Sequence, residues 1–295
     1  MKFLVLGSAN YDYTYHLRHI AQPGETIAAS LLETACGGKG FNQAAALAKA
    51  GANVFLAALV GSDGEELERE ARGYGVDCSL LKRCGRGRTG NAMIQVDREG
   101  QNCIVLYGGT NRMWTQKDIE TALADFGPGD VLVLQNEING MPEILRQACC
   151  RGMEIVLNPS PFEPEILSWE LERVSLFMLN EVEGEQMTGT DEPEEILNRL
   201  LARHPKAAAV LTLGEQGAWY ADAAERVFCP AQKVKAVDTT AAGDTFTGYF
   251  LASRAGGMGT EKCLQRAAAA SALAVSRKGA AVSVPTQEEL EAAVQ

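Results

Sequence analysis

Asp238-Thr239-Thr240-Ala241-Ala242-Gly243-Asp244-Thr245-Phe246 is the stretch on which the reading of this chain turns. A β-branched approach, Val234 to Val237, leads into a turn of small residues. A helix is predicted to open at Gly243, with Phe246, Tyr249, Phe250 and Leu251 on its buried side. Small residues let backbone N–H groups converge, and a helix N-terminus adds partial positive charge, so the turn is a candidate anion site. Asp244 projects from the same turn. A carboxylate beside an anion cradle is electrostatically costly, which points to a task there: accepting a hydroxyl proton while the cradle holds a phosphoryl group. The plainer reading is a helix N-cap, which Asp supplies well. The whole segment favours the chemical reading over the cap.

Outward from this segment, apolar strand-like runs alternate with helix-like runs. Strands are predicted near 2–7, 53–60, 130–135, 153–157, 174–179 and 208–213. Helices are predicted near 40–50, 64–75, 115–125, 141–151, 181–188, 193–203, 243–254, 260–277 and 286–294. This alternation implies an α/β fold with a mostly parallel sheet covered on both faces. Residues 11–35 and about 78–110 break the rhythm with glycine-punctuated extended segments. Thr89 to Val96 and Cys103 to Tyr107 are expected to pair around Arg98-Glu99-Gly100-Gln101. The two insertions are read as a small β lid over a site, within one domain spanning 1–295.

Composition narrows the function class. A hydrophobic fraction of 46% supports a sizeable core without disulfides or a structural metal. A net charge of −11 disfavours nonspecific nucleic-acid binding, though a local backbone site can still hold an anion. The chain enters a strand at Phe3-Leu4-Val5-Leu6, read as lacking a leader, and no apolar run approaches the roughly 20 residues that span a membrane. The eight cysteines form no CxxC pair and several lie in apolar runs, which fits small hydrophobes in a reducing cytoplasm. Gly85-Arg86-Gly87-Arg88-Thr89-Gly90 matches GxGxxG but precedes a strand, where a dinucleotide site needs a helix. Gly37-Gly38-Lys39-Gly40 is similar to a P-loop, yet Phe41 stands where a magnesium-binding hydroxyl belongs.

Several strand ends carry polar residues suited to a ligand. Asn10 and Asp12 share a face at strand spacing, a pair suited to vicinal hydroxyls, with an Asx turn as the alternative. Gly37 to Gly40 allow close backbone approach, and Asn42 and Gln43 follow in the first helical turn. Lys39 is read as a solvated flank. Gln135-Asn136-Glu137 and Asn158-Pro159-Ser160-Pro161 lie where open α/β sheets bind ligands, beyond the carboxyl ends of strands. Glu137 is a sugar-contact candidate, or a cap for the helix near Pro142. Asn180 and Glu183 lie three apart on an opening helix, placed either to organise hydrated magnesium and phosphate or to cap that helix. Thr212 and Gly214 sit at another strand end, facing a nucleotide phosphate or forming a tight turn.

Taken in order, these segments resemble the ribokinase-like sugar kinases, the PfkB family. The match runs through Gly7-Ser8-x-Asn10-x-Asp12, Pro23-Gly24-Glu25-Thr26, Gly37-Gly38-Lys39-Gly40-x-Asn42-Gln43 and Val60-Gly61-x-Asp63-Gly64. It continues through Asn158-Pro159-x-Pro161, Asn180-x-x-Glu183, the Asp238–Phe246 segment and Arg277-Lys278-Gly279-Ala280. The resemblance implies a doubly wound αβα domain whose β lid also clasps a homodimer. It implies transfer of the ATP γ-phosphate to a sugar hydroxymethyl group, with a free pentose, D-ribose first, as the expected acceptor. Asp244 would be the base, and Ala241, Ala242 and Gly243 the anion hole. Asn10, Asp12, Gly38, Asn42 and Glu137 would bind the sugar, and Asn180, Glu183, Thr212 and Gly214 would face nucleotide and Mg2+. A K+ ion would sit beside the anion hole, held by the side chains of Asp238 and Ser283 and the carbonyls of Thr240, Ala274, Arg277 and Gly279.

Asn91 in a lid strand, Asn136, and the set Tyr11, Tyr13 and Tyr15 depart from the family pattern and are read as bearing on the choice of acceptor. The rivals are a nucleoside kinase and a catalytically silent sugar sensor. The retained Asp244 and Gly243 argue against the sensor. A phosphosugar acceptor would need more basic residues in the lid than Arg86, Arg88 and Arg98.

Overall fold

The computed structural model describes residues 1–294. Its centre is an eight-stranded sheet with the order Arg226–Pro230, Gly217–Ala221, Ala208–Thr212, Leu176–Asn180, Glu154–Asn158, Val131–Gln135, Phe3–Leu6, Val54–Ala57. From Ala208–Thr212 onward all neighbours are parallel, and the first two strands form an antiparallel hairpin at the edge. The predicted strands are present, with 53–60 divided into Val54–Ala57 and Leu59–Val60. The edge hairpin is not among the predictions: Trp219–Tyr220 and Val227–Phe228 are short runs without helical or strongly alternating pattern.

Strand periodicity divides the core. Phe3, Val5, Val131 and Val133 point into one apolar layer, and Leu4, Leu6, Leu132 and Leu134 into the other. The first layer is closed by the helices Lys39–Lys49, Ala242–Ala255 and Thr260–Val275, the second by Gln116–Leu123, Met141–Cys150 and Pro193–Arg203. This is the expected doubly wound αβα sandwich. After Phe3–Leu6 the chain pairs first with Val54–Ala57 on one side and later with Val131–Gln135 on the other. That reversal opens a crevice beyond the carboxyl ends of these strands.

A second sheet of four strands has the order Leu31–Gly37, Asn10–His16, Gly90–Val96, Asn102–Tyr107. Its two central strands are parallel and its outer pairs antiparallel. It springs from the crevice, because Asn10 follows directly on the loop that ends Phe3–Leu6.

Val234 to Val237 form no strand. The segment is irregular, and Val237 and Asp238 instead donate backbone N–H bonds to the Val275 carbonyl at 2.7 and 3.1 Å. The helix after it opens at Ala242, one residue earlier than predicted.

Candidate active site

Two helices meet so closely that a Cβ on Gly248 would lie 2.4 Å from the Ala46 Cβ and 2.8 Å from backbone atoms of Ala46 and Leu47. Only glycine fits that crossing, and it brings Lys39–Lys49 and Ala242–Ala255 into backbone contact. One turn nearer each N-terminus, residues 42 and 43 therefore face residue 244. Asn42 Nδ2 donates to Asp244 Oδ2 at 3.2 Å, and Gln43 Nε2 to Asp244 Oδ1 at 2.9 Å. Asp244 is 6% exposed. Burial raises its pKa, while the Lys39 charge and the two amide bonds pull it down, leaving it above the ordinary carboxylate range. The N-cap reading fails on geometry: the cap residue is Ala241, without a side-chain cap bond, and the Asp244 carboxylate turns away to the neighbouring helix.

The turn before Asp244 leaves donors free. Ala242 N–H bonds the Thr239 carbonyl at 3.2 Å and Thr245 N–H the Ala241 carbonyl at 2.9 Å. Among the described residues, the N–H groups of Ala241, Gly243 and Asp244 have no protein acceptor. Gly243 is exposed, and apart from its chain neighbours and its own helix backbone no atom lies within 4 Å of where its Cβ would be, so an anion can approach its backbone. Of the three proposed anion-hole residues, Ala242 has its N–H already engaged.

The first turn of Lys39–Lys49 is packed against the crevice floor. Gly38, at φ 91°, starts the helix, and a Cβ there would lie 3.0 Å from Ser8 Oγ and 3.1 Å from Asn10 N. Glu137 Oε2 accepts the Lys39 backbone N–H at 2.9 Å and the Ser8 hydroxyl. Glu137 thus caps this helix and not Met141–Cys150, whose cap residue is Gly140. Asn10 is buried, and its Oδ1 accepts from Asn111 Nδ2 at 2.6 Å. Asp12 lies over Gly37, where a Cβ would meet Asp12 Oδ2 at 2.1 Å. Burial, then the charges of Glu137 and Asp244, push the Asp12 carboxyl up to about 7. Asn42 Oδ1 is buried without a partner, an acceptor left for a ligand hydroxyl.

Lys39 corrects its sequence reading. It is half-buried, not a solvated flank. Burial lowers its pKa, but Asp244, Glu137 and Glu183 together raise it further, so a charged ammonium sits among three carboxylates. Nothing local in the sequence marks this, because the three acids come from distant segments.

On the far side of Asp244, Asn180 and Glu183 form a reciprocal capping box: Glu183 N–H to Asn180 Oδ1 at 2.8 Å, and Asn180 N–H to Glu183 Oε2 at 3.1 Å. The capping alternative is therefore realised. Glu183 also accepts from Asn158 Nδ2 at 3.4 Å, which ties it toward the site. Thr212 ends the neighbouring strand, and a Cβ on Gly214 would lie 3.9 Å from Glu181 Oε1, at the same helix start.

The cation candidates gather beside the anion turn. Asp238 Oδ1 accepts from the Thr240 N–H and hydroxyl, and Oδ2 from Gly279 N–H at 2.9 Å. Burial would raise its pKa, but these bonds and the Lys278 charge outweigh burial and hold it low. Among the described residues no backbone donor reaches the carbonyls of Thr240, Arg277 or Gly279, whereas the Ala274 carbonyl accepts from Arg277 N–H at 3.0 Å. The Ser283 hydroxyl donates to the Ala280 carbonyl at 2.8 Å, leaving its oxygen lone pairs free. An ionised carboxylate with unpaired carbonyls fits a hard monovalent cation.

The residues read as departing from the family pattern do not share the face of Asp12. Register sets Asn91 opposite Tyr11 and Ala92 opposite Asp12, so Asn91 projects from the other face, with Tyr11, Tyr13 and Tyr15. Asn136 Nδ2 bonds the Pro161 carbonyl at 2.8 Å and holds a neighbouring turn. Asn111 is the site residue absent from the sequence reading, while Ser8, Gln43 and Gln135 stand in its motifs without an assigned role; the partners of all four lie roughly 30 to 200 positions away.

The sequence profile of the pfkB family carbohydrate kinases matches residues 2–287. The chain is 33% identical over 294 residues to the ribokinase of Haemophilus influenzae, covering 97% of this chain and 95% of that one. Among solved structures it is similar to the ribokinase of Cryptococcus neoformans var. grubii in complex with ADP, with TM-score 0.86, 32% identity and 99% of each chain covered. It is also similar to Arabidopsis thaliana ribokinase complexed with ribose and ATP, with TM-score 0.86, 29% identity, and 99% and 98% of the chains covered. The chain belongs to the pfkB family of carbohydrate kinases.

Proposed function

We propose that this chain is an ATP-dependent sugar kinase that transfers the γ-phosphate to the hydroxymethyl group of a free pentose, D-ribose first. The observation that carries this reading is Asp244, buried, gripped by Asn42 and Gln43, and placed one residue after the free Gly243 N–H. The named ligands of the two structural relatives, ADP in one and ribose with ATP in the other, support the substrate pair.

Asn10, Asp12, Gly38, Asn42 and Glu137 hold the sugar hydroxyls, with its hydroxymethyl group toward Asp244. Asp244 takes the hydroxyl proton as the oxygen attacks the γ-phosphorus. The N–H groups of Ala241, Ala242 and Gly243 receive the developing charge. For Ala242 this requires its long bond to Thr239 to yield. Lys39 neutralises the transferred group, the use that best fits an ammonium beside an anion cradle. Asn180, Glu183, Thr212 and Gly214 face the nucleotide phosphates and the hydration shell of Mg2+. Asp238, Ser283 and the carbonyls of Thr240, Arg277 and Gly279 would hold K+, with the Ala274 carbonyl, which already accepts from Arg277 N–H, using its second lone pair. The cation supplies no bond-making chemistry, only a fixed backbone at 240–243.

The four-stranded sheet is the lid and the dimer clasp in this reading. Leu31, Leu32, Met93, Ile104, Val105 and Leu106 stand about half exposed on it, an apolar surface that a second copy would cover. The test of function is ADP release with pentoses, hexoses and nucleosides as acceptors. Turnover concentrated on D-ribose is expected; turnover confined to a nucleoside would overturn the pentose reading.

A further inference from the structure

We propose that Gln43 is a positioning residue for the reaction: its amide fixes the Asp244 carboxylate and ties it to the nucleotide half of the site. This rests on the reading of Asp244 as the base. Gln43 is fully buried, and each of its amide atoms is used. Gln135 Nε2 donates to Gln43 Oε1 at 2.6 Å, and Gln43 Nε2 donates to Asp244 Oδ1 at 2.9 Å and to Asn158 Oδ1 at 3.4 Å. Asn158 Nδ2 then donates to the Met178 carbonyl at 2.8 Å and to Glu183 Oε2 at 3.4 Å. An ionised carboxylate only accepts, so Gln43 must present its NH2 group to Asp244. The Gln135 bond secures that orientation by occupying the Gln43 carbonyl. Gln135 is itself held in place where Gly7 has no side chain: a Cβ there would lie 2.3 Å from Gln135 Oε1.

Asn42 and Gln43 thus grip one carboxylate oxygen each, which sets the plane of the base and leaves its outward lone pairs for a substrate hydroxyl. Asn42 also carries a free acceptor that faces ligand, whereas Gln43 has none. Gln43 acts only through Asp244. The charged groups that interact with Asp244 are Lys39, from the same helix as Gln43, and Asp12, from the small sheet; Glu137, from a crevice loop, and Glu183, from the first turn of Glu181–Thr188, act on it through Lys39. None of them donates a hydrogen bond to the carboxylate, so removing the Gln43 donor leaves burial less opposed.

The experiment compares Gln43→Met, Gln135→Met and Asp244→Asn in pH–rate profiles with D-ribose and ATP. Gln43→Met should lower kcat about 10- to 100-fold while the sugar KM changes less than about threefold. Its acidic limb should move up by about one pH unit, because an unopposed buried carboxylate protonates sooner. Gln135→Met, which only frees the Gln43 amide to turn, should shift both readings the same way by less, and it carries the test should Gln43→Met not fold. A loss of thermal stability with kcat and acidic limb unmoved in the folded variant would overturn the positioning role. Near-normal turnover in Asp244→Asn would instead overturn the base on which it rests.

Discussion

The two banks of the site are built from different material. On the sugar bank, side chains do the holding: Asp244, Asn42, Gln43, Glu137, Ser8, Asn10 and Asn111 are joined by hydrogen bonds and most are buried. On the anion and cation bank, residues 238–243 and 277–283, the functional groups are backbone N–H and C=O with few side-chain supports. The first bank is largely organised before ligand arrives, because most of its polar groups bond one another, Asn42 Oδ1 being left without a partner. The second keeps unpaired donors and acceptors on an irregular segment, and an anion and a cation would complete it. Side-chain replacements should therefore act strongly on the first bank, while solution ions should act on the second.

The largest effect expected outside the proposed base is at Lys39, the ammonium set among Asp244, Glu137 and Glu183. Lys39→Met should lower kcat about 10²-fold with a small change in sugar KM, because it removes charge stabilisation that matters most in the transition state. An unchanged kcat would return Lys39 to a solvated flank.

Asp12 tests the sugar bank alone. Asp12→Ala should weaken D-ribose binding by about 1–3 kcal/mol, through hydroxyls left without an acceptor, and leave the ATP KM nearly unchanged. Calorimetric titration of sugar into the variant reads this directly.

Replacing K+ by a large organic cation at equal ionic strength should lower turnover about tenfold, less than the loss of an anion-hole donor, and Asp238→Ala should abolish the difference. Equal rates in both buffers, with Asp238→Ala unchanged, would remove the cation from this bank and leave Asp238 a turn-former.

The smallest effect is in pH-dependent stability. The Asp12 carboxyl titrates near 7 in the fold against 3.8 in the unfolded chain, so the fold binds this proton more tightly. Ionising it costs stability, and without sugar the chain should lose stability as pH rises from about 4 through 7. Asp12→Asn should therefore raise Tm at pH 8 and leave it unchanged near pH 4. A lower Tm at pH 8 would mean that the ionised form is the better held.

The same contrast explains what the sequence reveals. The parallel sheet, its helices and the Asp244 turn are legible because strand and helix periodicity and small-residue turns are local signals. Asn180 and Glu183 are legible as a pair, since three-residue spacing on a helix is local too. The roles of Gln43, Gln135, Ser8 and Asn111 are not, because they come from partners on distant segments. Lys39 reads as a flank until the fold surrounds it with acids. Asn91 reads as a change in acceptor until sheet register turns it away from Asp12. Val234 to Val237 carry strand-forming residues, yet the segment pairs with no strand and Val237 N–H bonds the Val275 carbonyl instead, so tertiary context decides.

The proposed role of Asp244 is to activate a pentose hydroxymethyl group for attack on ATP. It is tested most directly by phosphorus NMR of the products from D-ribose and ATP, with the parent chain and Asp244→Asn side by side. A phosphomonoester on the C5 hydroxymethyl group is expected with the parent chain. With the variant the same product should form about 10²- to 10⁴-fold more slowly, while D-ribose still binds. A phosphate on another ribose hydroxyl, or equal product from the variant, would contradict it.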